Sequence, residues 1–321
     1  MNSTPSCKIC RNTAGNTAYT AREMMYGLRD TFDYFQCADC GCLQIAEFPA
    51  DMGRYYPAHY YSFNAYDGRK FKGLKGALKR RQYAAAVYRK GLEAALWTAL
   101  WDVPDYRILR GLRVTRTTRV LDVGCGNGRS FLYPLAEVGL TRLLGCDPYL
   151  AAPIQYANGL RIQNTSIAEV DGQWDLITYH HSFEHVPDPQ ANMDAVARLL
   201  APGGVCIIRV PTCASYAWEH YRTNWAQLDA PRHFFLHSRE SMRRLGAAAG
   251  LELYQVIDDS RHFQFSGSEK LVADQHLAKP RQWGPLGFLR RRLLKLRYIR
   301  MAKRLNRAGR GDQAAFFFRR G

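Results

Sequence analysis

The sequence predicts an α/β fold with a small cysteine-rich module at its N-terminus, and three observations carry that prediction. Strand-like apolar runs alternate with helical stretches from about residue 117 to 257. The run Val120-Leu-Asp-Val-Gly-Cys-Gly-Asn-Gly128 reads as a buried strand ending in a tight glycine turn that opens a helix. Two Cys-x-x-Cys pairs, Cys7/Cys10 and Cys37/Cys40, stand 26 residues apart.

The glycine turn points to a ligand. Gly124, Gly126 and Gly128 let the backbone turn sharply and approach a bound molecule with no Cβ in the way. The next strand, Leu143-Leu-Gly-Cys-Asp147, ends in a carboxylate 19 residues after Gly128. An acid there can accept both ribose hydroxyls of an adenosine ligand. The spacing is not the Gly-x-Gly-x-x-Gly of a dinucleotide site: it is Asp-x-Gly-x-Gly-x-Gly, with Asp122 inside the pattern.

The four cysteines suit a structural zinc ion. Zinc takes four soft ligands in a tetrahedron, and each Cys-x-x-Cys turn supplies two thiolates. Cys42 is a fifth thiol that could replace Cys40, and disulfides are the alternative use. No histidine nearby is placed as a ligand, so the closed set Cys7, Cys10, Cys37, Cys40 points to a structural metal.

Composition excludes several classes. The chain is 47% hydrophobic and 23% charged, which is globular rather than disordered. No apolar run reaches membrane-spanning length, and Met1-Asn-Ser-Thr-Pro-Ser lacks a signal-peptide layout, so a cytoplasmic location is expected. The net charge of +17 implies polyanion partners or an anionic membrane surface.

In chain order, the aromatic run Tyr55–Phe63 is a linker or a substrate-facing loop. A basic cluster fills Arg69–Arg81, and Gln82–Trp101 reads as a helix with Leu92, Leu96 and Leu100 on one face. Strand one is Val120–Val123, followed by a helix over Ser130–Val138. Strand two runs to Asp147, and Arg161–Ser166 is a weak strand three. Trp174–Tyr179 is strand four, Val205–Val210 strand five and Leu251–Ile257 strand six, after a helix over Arg239–Gly250. From Lys279 to Arg310 there are twelve Lys and Arg and no acid, with Leu289, Leu293, Leu296 and Ile299 at helical spacing. A basic amphipathic helix of this kind can lie on an anionic membrane, hold phosphates, or pack its leucine face on the core.

The glycine turn with Asp122 and Asp147 resembles motif I of class I S-adenosylmethionine (SAM)-dependent methyltransferases. Glu184-His-Val-Pro after strand four and Leu200-Ala-Pro-Gly-Gly before strand five are similar to the same family. The resemblance implies a Rossmann-like fold whose seven-stranded, mostly parallel sheet has an antiparallel last strand, here Gln313–Arg319 inserted between strands five and six. It implies SAM as cofactor. Gly124, Gly126 and Gly128 would face its methionine end, Asp122 its ammonium and Asp147 its ribose. Ser166 or Thr165 stands where relatives carry an acid for the adenine. His180, His181 and His185 line the crevice and are expected to contact the methionine or move a proton, not to bind metal.

The segment Trp225…Asp229-Ala-Pro-Arg-His233 resembles one found in a bacterial subgroup linked to surface-glycan synthesis. That resemblance implies a sugar, glycan or nucleotide-sugar acceptor, with His233 as first candidate base and His181 as second. Asp229 with Arg232 as a buried staple is the bland reading. Zinc ribbon and charge favour RNA as the alternative acceptor, and a non-catalytic SAM and zinc module binding a polyanion is the third reading. The expected layout is 1–50 ribbon, 51–116 linker and helical cap, 117–258 SAM-binding core, 259–311 basic insertion and 312–321 final strand. Residues 279–310 could hold the protein at the inner face of the membrane.

Overall fold

A computed structural model describes residues 5–56, 66–88, 97, 103–279 and 287–321. Two compact units form, and neither is a continuous stretch. The first gathers Met1–Pro57, Phe183–Met193 and Arg209–Phe317; the second gathers Ala58–Ser182, Asp194–Ile208 and Phe318–Gly321.

The second unit is built on β4 (Val120–Val123), β5 (Leu143–Cys146), β6 (Ile154–Gln155), β7 (Arg161–Gln163), β8 (Trp174–His180) and β9 (Leu200–Pro211, as far as Ile208). They lie in the order β9-β8-β4-β5-β7-β6. β4 pairs parallel with both β5 and β8, and β5 with β7. All four residues of β4, Asp122 included, are buried, as a central strand of a parallel sheet covered on both faces requires. The short edge strand β6, antiparallel to β7, adds a strand that the seven-stranded expectation lacks. α2 (Leu132–Glu137) is shorter than the helix read over Ser130–Val138.

The helix before the core starts earlier than its leucine pattern suggests. α1 runs Gly73–Tyr88, so it contains part of the basic cluster, and its buried positions include Gly76, Tyr83, Ala86 and Val87. Gly76 must be glycine, because a Cβ there would lie 2.1 Å from the Phe71 carbonyl carbon. Arg80 donates to the Phe71 carbonyl at 2.6 Å and pairs with Glu137 at 3.1 Å. Leu92, Leu96 and Leu100 lie outside the described residues, as do residues 57–63 of the aromatic run.

The first unit holds an antiparallel sheet ordered β1-β2-β3-β10, from Thr17–Arg22, Thr31–Gln36, Leu43–Ile45 and Phe235–Leu236. The N-terminal module is therefore completed by a strand from far along the chain. One apolar cluster joins Cys7, Cys37, Cys40, Tyr34 and Phe35 to Trp218, Trp225, Phe235 and Phe265. The same unit carries α3 (Pro189–Leu199, in part), α4 (Tyr216–Tyr221), α5 (Arg239–Ala248), β11 (Leu251–Asp258), α6 (Phe263–Ser266) and α7 (Ser268–Val272). α8 (Gly287–Arg307) follows, and then β12 (Gln313–Arg320) takes its place between β11 and β9 as expected.

α8 packs on a different stripe from the one its leucines mark. Tyr298, Met301, Ala302 and Leu305, spaced three and four residues apart, meet the apolar cluster. Leu293 and Leu296 are exposed among the arginines, at 60% and 44%. The side chain of Leu289 lies outside the described residues.

Candidate functional site

In the second unit the glycine turn leaves β4 with three left-handed residues: Gly124, Gly126 and Gly128 have φ of 66°, 54° and 66°. A Cβ on Gly124 would stand 2.4 Å from the Ser182 Cβ, and one on Gly128 would stand 2.6 Å from Ile162 Cδ1. Only glycine satisfies both the backbone and the space. Ser182, the residue after His181, donates its hydroxyl to the Val123 carbonyl at 2.6 Å and so ties the end of β8 to the turn.

Asp147 lies just past β5 and is nearly fully buried. Its Oδ2 accepts from the Gly126 N–H at 2.8 Å, and its Oδ1 accepts from the Tyr149 N–H at 3.0 Å. Asp122 is buried in β4 and accepts from the Thr178 hydroxyl at 2.7 Å. Burial pushes the Asp122 carboxyl up to about 7; the Thr178 bond opposes this, and the Asp147 charge adds to it. Two carboxyl groups thus flank a glycine turn, and a nearby cation would favour the ionised form of the inner one.

A consequence can be tested without ligand. Between pH 4 and 7 the folded Asp122 holds a proton that the unfolded chain releases, so stability falls as pH rises through this window and levels off above it. The contribution is about 4 kcal/mol over the three pH units. Asp122→Asn should flatten this part of a denaturation-versus-pH profile; an unchanged slope would place the shift elsewhere.

Ser166 stands half-buried beyond β7, and its carbonyl accepts from the Glu169 N–H at 3.2 Å. The Thr165 hydroxyl bonds the Glu169 carboxylate, so an acid does reach this end of the strand, from three residues further on than the family pattern. His181 is half-buried with a left-handed φ of 55°. The second unit therefore gathers Asp122, the three glycines, Asp147, Ser166 and His181.

His233 belongs to the first unit, where it joins Glu184 and His185 instead. Its Nδ1 is 2.7 Å from the Gln227 carbonyl. Burial pushes it down to about 4, with His185 lowering it further and Asp229 and Glu184 opposing. A histidine so shifted is neutral at pH 7 and a weak base. The expectation that no ligand cluster surrounds the histidines does not hold: one ligand atom each from Glu184, His185 and His233 lies within 4.8 Å of the others.

The Asp229–Arg232 staple is present and larger than its sequence suggests. Arg232 donates to both Asp229 oxygens, at 3.0 and 2.6 Å, to Glu23 Oε1 at 2.9 Å and to the Tyr55 carbonyl at 3.0 Å. Glu23 also accepts from four backbone N–H groups, Met25 to Leu28, between 2.9 and 3.1 Å. Glu23, Thr178 and Ser182 carry no motif and were invisible in the sequence.

Cys7, Cys10, Cys37 and Cys40 converge, with ligand atoms all within 4.8 Å. Cys7 and Cys40 sulfurs are 3.6 Å apart, and Cys10 and Cys37 sulfurs 3.5 Å. Four sulfurs at about 2.3 Å from one tetrahedral ion stand about 3.8 Å apart, whereas a disulfide needs about 2 Å, so these thiols fit a metal and not two bridges. The Cys40 thiol beside Cys7 holds it down to about 4, while burial pushes Cys10 up to about 11. Gln44, fully buried, donates to the Cys7 sulfur at 3.1 Å and accepts from the Lys8 N–H at 2.9 Å, which orients the ligand. Cys42 is outside the set: its sulfur faces the Leu43 and Leu236 carbonyls.

The glycine turn and its two buried carboxyl groups lie at the carboxyl ends of β4 and β5 in a Rossmann-like α/β core. The chain matches the methyltransferase domain family over residues 80–256, more than half its length, and belongs to that family. A ubiquinone biosynthesis O-methyltransferase of Psychrobacter cryohalolentis is 40% identical over 103 residues, covering 28% of this chain and 39% of that protein. One from Escherichia coli is 34% identical over 96 residues, covering 27% and 40%. The chain thus spans about two-fifths of the length of these relatives. Among solved structures, a SAM-dependent methyltransferase from Mesorhizobium loti aligns at TM-score 0.42 and 15% identity, covering 68% of this chain and 98% of that one. Geranyl diphosphate methyltransferase in complex with SAM aligns at TM-score 0.43 and 16% identity, covering 82% and 98%.

Proposed function

We propose that the protein transfers the SAM methyl group to a hydroxyl oxygen of a sugar or glycan precursor of cell-surface polysaccharide. The observation that carries methyl transfer is the pair Asp122 and Asp147 around the glycine turn. SAM supplies an electrophilic methyl on a sulfonium, and the protein's part is largely positioning. Asp147 would take the ribose hydroxyls and Asp122 the ammonium. Of the two candidate bases we favour His181, because it adjoins Ser182 and the turn, whereas burial leaves His233 weakly basic. The Asp229-Ala-Pro-Arg-His segment supports the sugar acceptor, and the O-methyltransferase relatives support oxygen as the acceptor atom. The same relatives favour a second reading, a phenolic hydroxyl of a quinone precursor.

Radiolabelled SAM is offered with three acceptor pools: nucleotide- and lipid-linked sugars, phenolic quinone precursors, and RNA. Label in the first supports the sugar reading, label in the second replaces it with the phenolic one, and label in RNA overturns both. His181→Ala should lower turnover by about 100-fold while SAM binding is kept; full activity would remove His181 as base.

The four cysteines would hold a structural zinc ion. One equivalent should be released when a mercurial titrates the thiols, with a fall in melting temperature; no release from reduced protein would refute it. The exposed Leu293 and Leu296 among the arginines of α8 support binding to an anionic membrane surface. Leu293→Glu with Leu296→Glu should abolish sedimentation with anionic vesicles; unchanged sedimentation would end that proposal.

A further inference from the structure

We propose that Glu184, His185 and His233 form a second metal site in the first unit, separate from the four cysteines and suited to a divalent first-row transition ion. Glu184 and His185 are adjacent in the turn after β8, and His233 arrives from the segment leading into β10. The two imidazole rings lie edge to face with centroids 4.8 Å apart.

Both rings are oriented in the way metal-bound histidines are. His185 Nδ1 is 2.8 Å from the Arg232 carbonyl, and His233 Nδ1 is 2.7 Å from the Gln227 carbonyl. Donation to a carbonyl places the proton on Nδ1 and leaves Nε2 as the lone-pair nitrogen of each ring.

The spacing fits an ion better than a direct hydrogen bond. His233 Nε2 is 3.9 Å from Glu184 Oε1 and 3.8 Å from Asp229 Oδ2. Both exceed hydrogen-bond length. Two atoms that each bind one ion at about 2.1 Å stand about 3.0–4.2 Å apart, so the His233–Glu184 gap matches, and one ligand atom from each of the three residues lies within 4.8 Å of the others.

Charge favours a cation. Around the histidines, Arg232 brings one positive charge against the carboxylates of Glu23, Asp229 and Glu184. The Glu184 side chain is fully buried, and a cation held between it and the two imidazoles would pair with its carboxylate. Asp229 is committed to Arg232 through both oxygens, so it acts as the neighbouring charge and Glu184 as the ligand. Two imidazoles and one carboxylate suit zinc or a comparable ion and leave coordination positions open.

The test counts zinc on the full chain by equilibrium dialysis and elemental analysis. Wild-type protein should bind two equivalents, of which a mercurial releases one. Glu184→Gln and His185→Gln should each bind one, and that one should remain mercurial-releasable, which also shows that the first unit is folded. A wild-type count of one, or variants that keep both, would overturn the site. Loss of both equivalents from both variants would also overturn it, since the two sites would then not be separate.

Discussion

Arg232→Met is expected to destabilise the first unit by about 3–5 kcal/mol, the cost of removing one partner from a buried ionic cluster. The arginine is almost wholly enclosed and holds two carboxylates, the fully buried Glu23 and the largely buried Asp229. Burial pushes Asp229 up, but the Arg232 fork more than offsets it and holds the carboxyl below its usual 3.8. That stabilisation is present above pH 3.8 and is lost as pH falls through the lowered value. Methionine matches the side chain's length but leaves both acids uncompensated. Arg232→Lys keeps the charge and loses the fork, so it should fall between the two. Denaturant melts measure this; an Arg232→Met variant as stable as wild type would mean that the cluster is not the fastening the geometry describes.

The second large effect concerns the cofactor. Asp147→Ala should weaken SAM binding by about 100-fold or more, since each hydrogen bond to a charged group contributes about 1.5–3 kcal/mol and two ribose hydroxyls are at stake. The substitution also frees the Gly126 and Tyr149 N–H groups that the carboxylate accepts. Asp147→Glu tests geometry against charge: it restores the charge but displaces it from the Gly126 N–H. Calorimetry with SAM reads both. Affinity within a few-fold of wild type would remove Asp147 from the cofactor site.

The parallel core was legible because its signals are local. Val120–Val123 is a short strand-like run, apolar but for Asp122, the glycines follow at once, and Asp147 arrives at a fixed distance. The four thiols were legible for the same reason. What escaped notice depends on distant pairings. Glu23 meets Arg232 across 209 positions, and no spacing rule covers that. β10 is only two residues long, too short for any periodicity, yet it completes the N-terminal sheet. On α8 the leucines dominate the pattern, but the burial falls on Tyr298, Met301 and Ala302, because the neighbouring elements decide which stripe is covered. In the sequence His185 stands with His180 and His181 and His233 stands 48 positions on; only the turn after β8 and the segment before β10 make His185 and His233 a pair.

The split composition of the first unit sets an order on its birth. Its opening 57 residues leave the ribosome long before Phe235 and Leu236, which close their sheet, and before Phe265 and Ala302, which seal their apolar cluster. During that interval β3 offers an unpaired edge, and Tyr34, Phe35 and Leu43 lack part of their cover. This segment is then open to aggregation. A metal ion taken up early by Cys7, Cys10, Cys37 and Cys40 would hold it compact while the remainder is made.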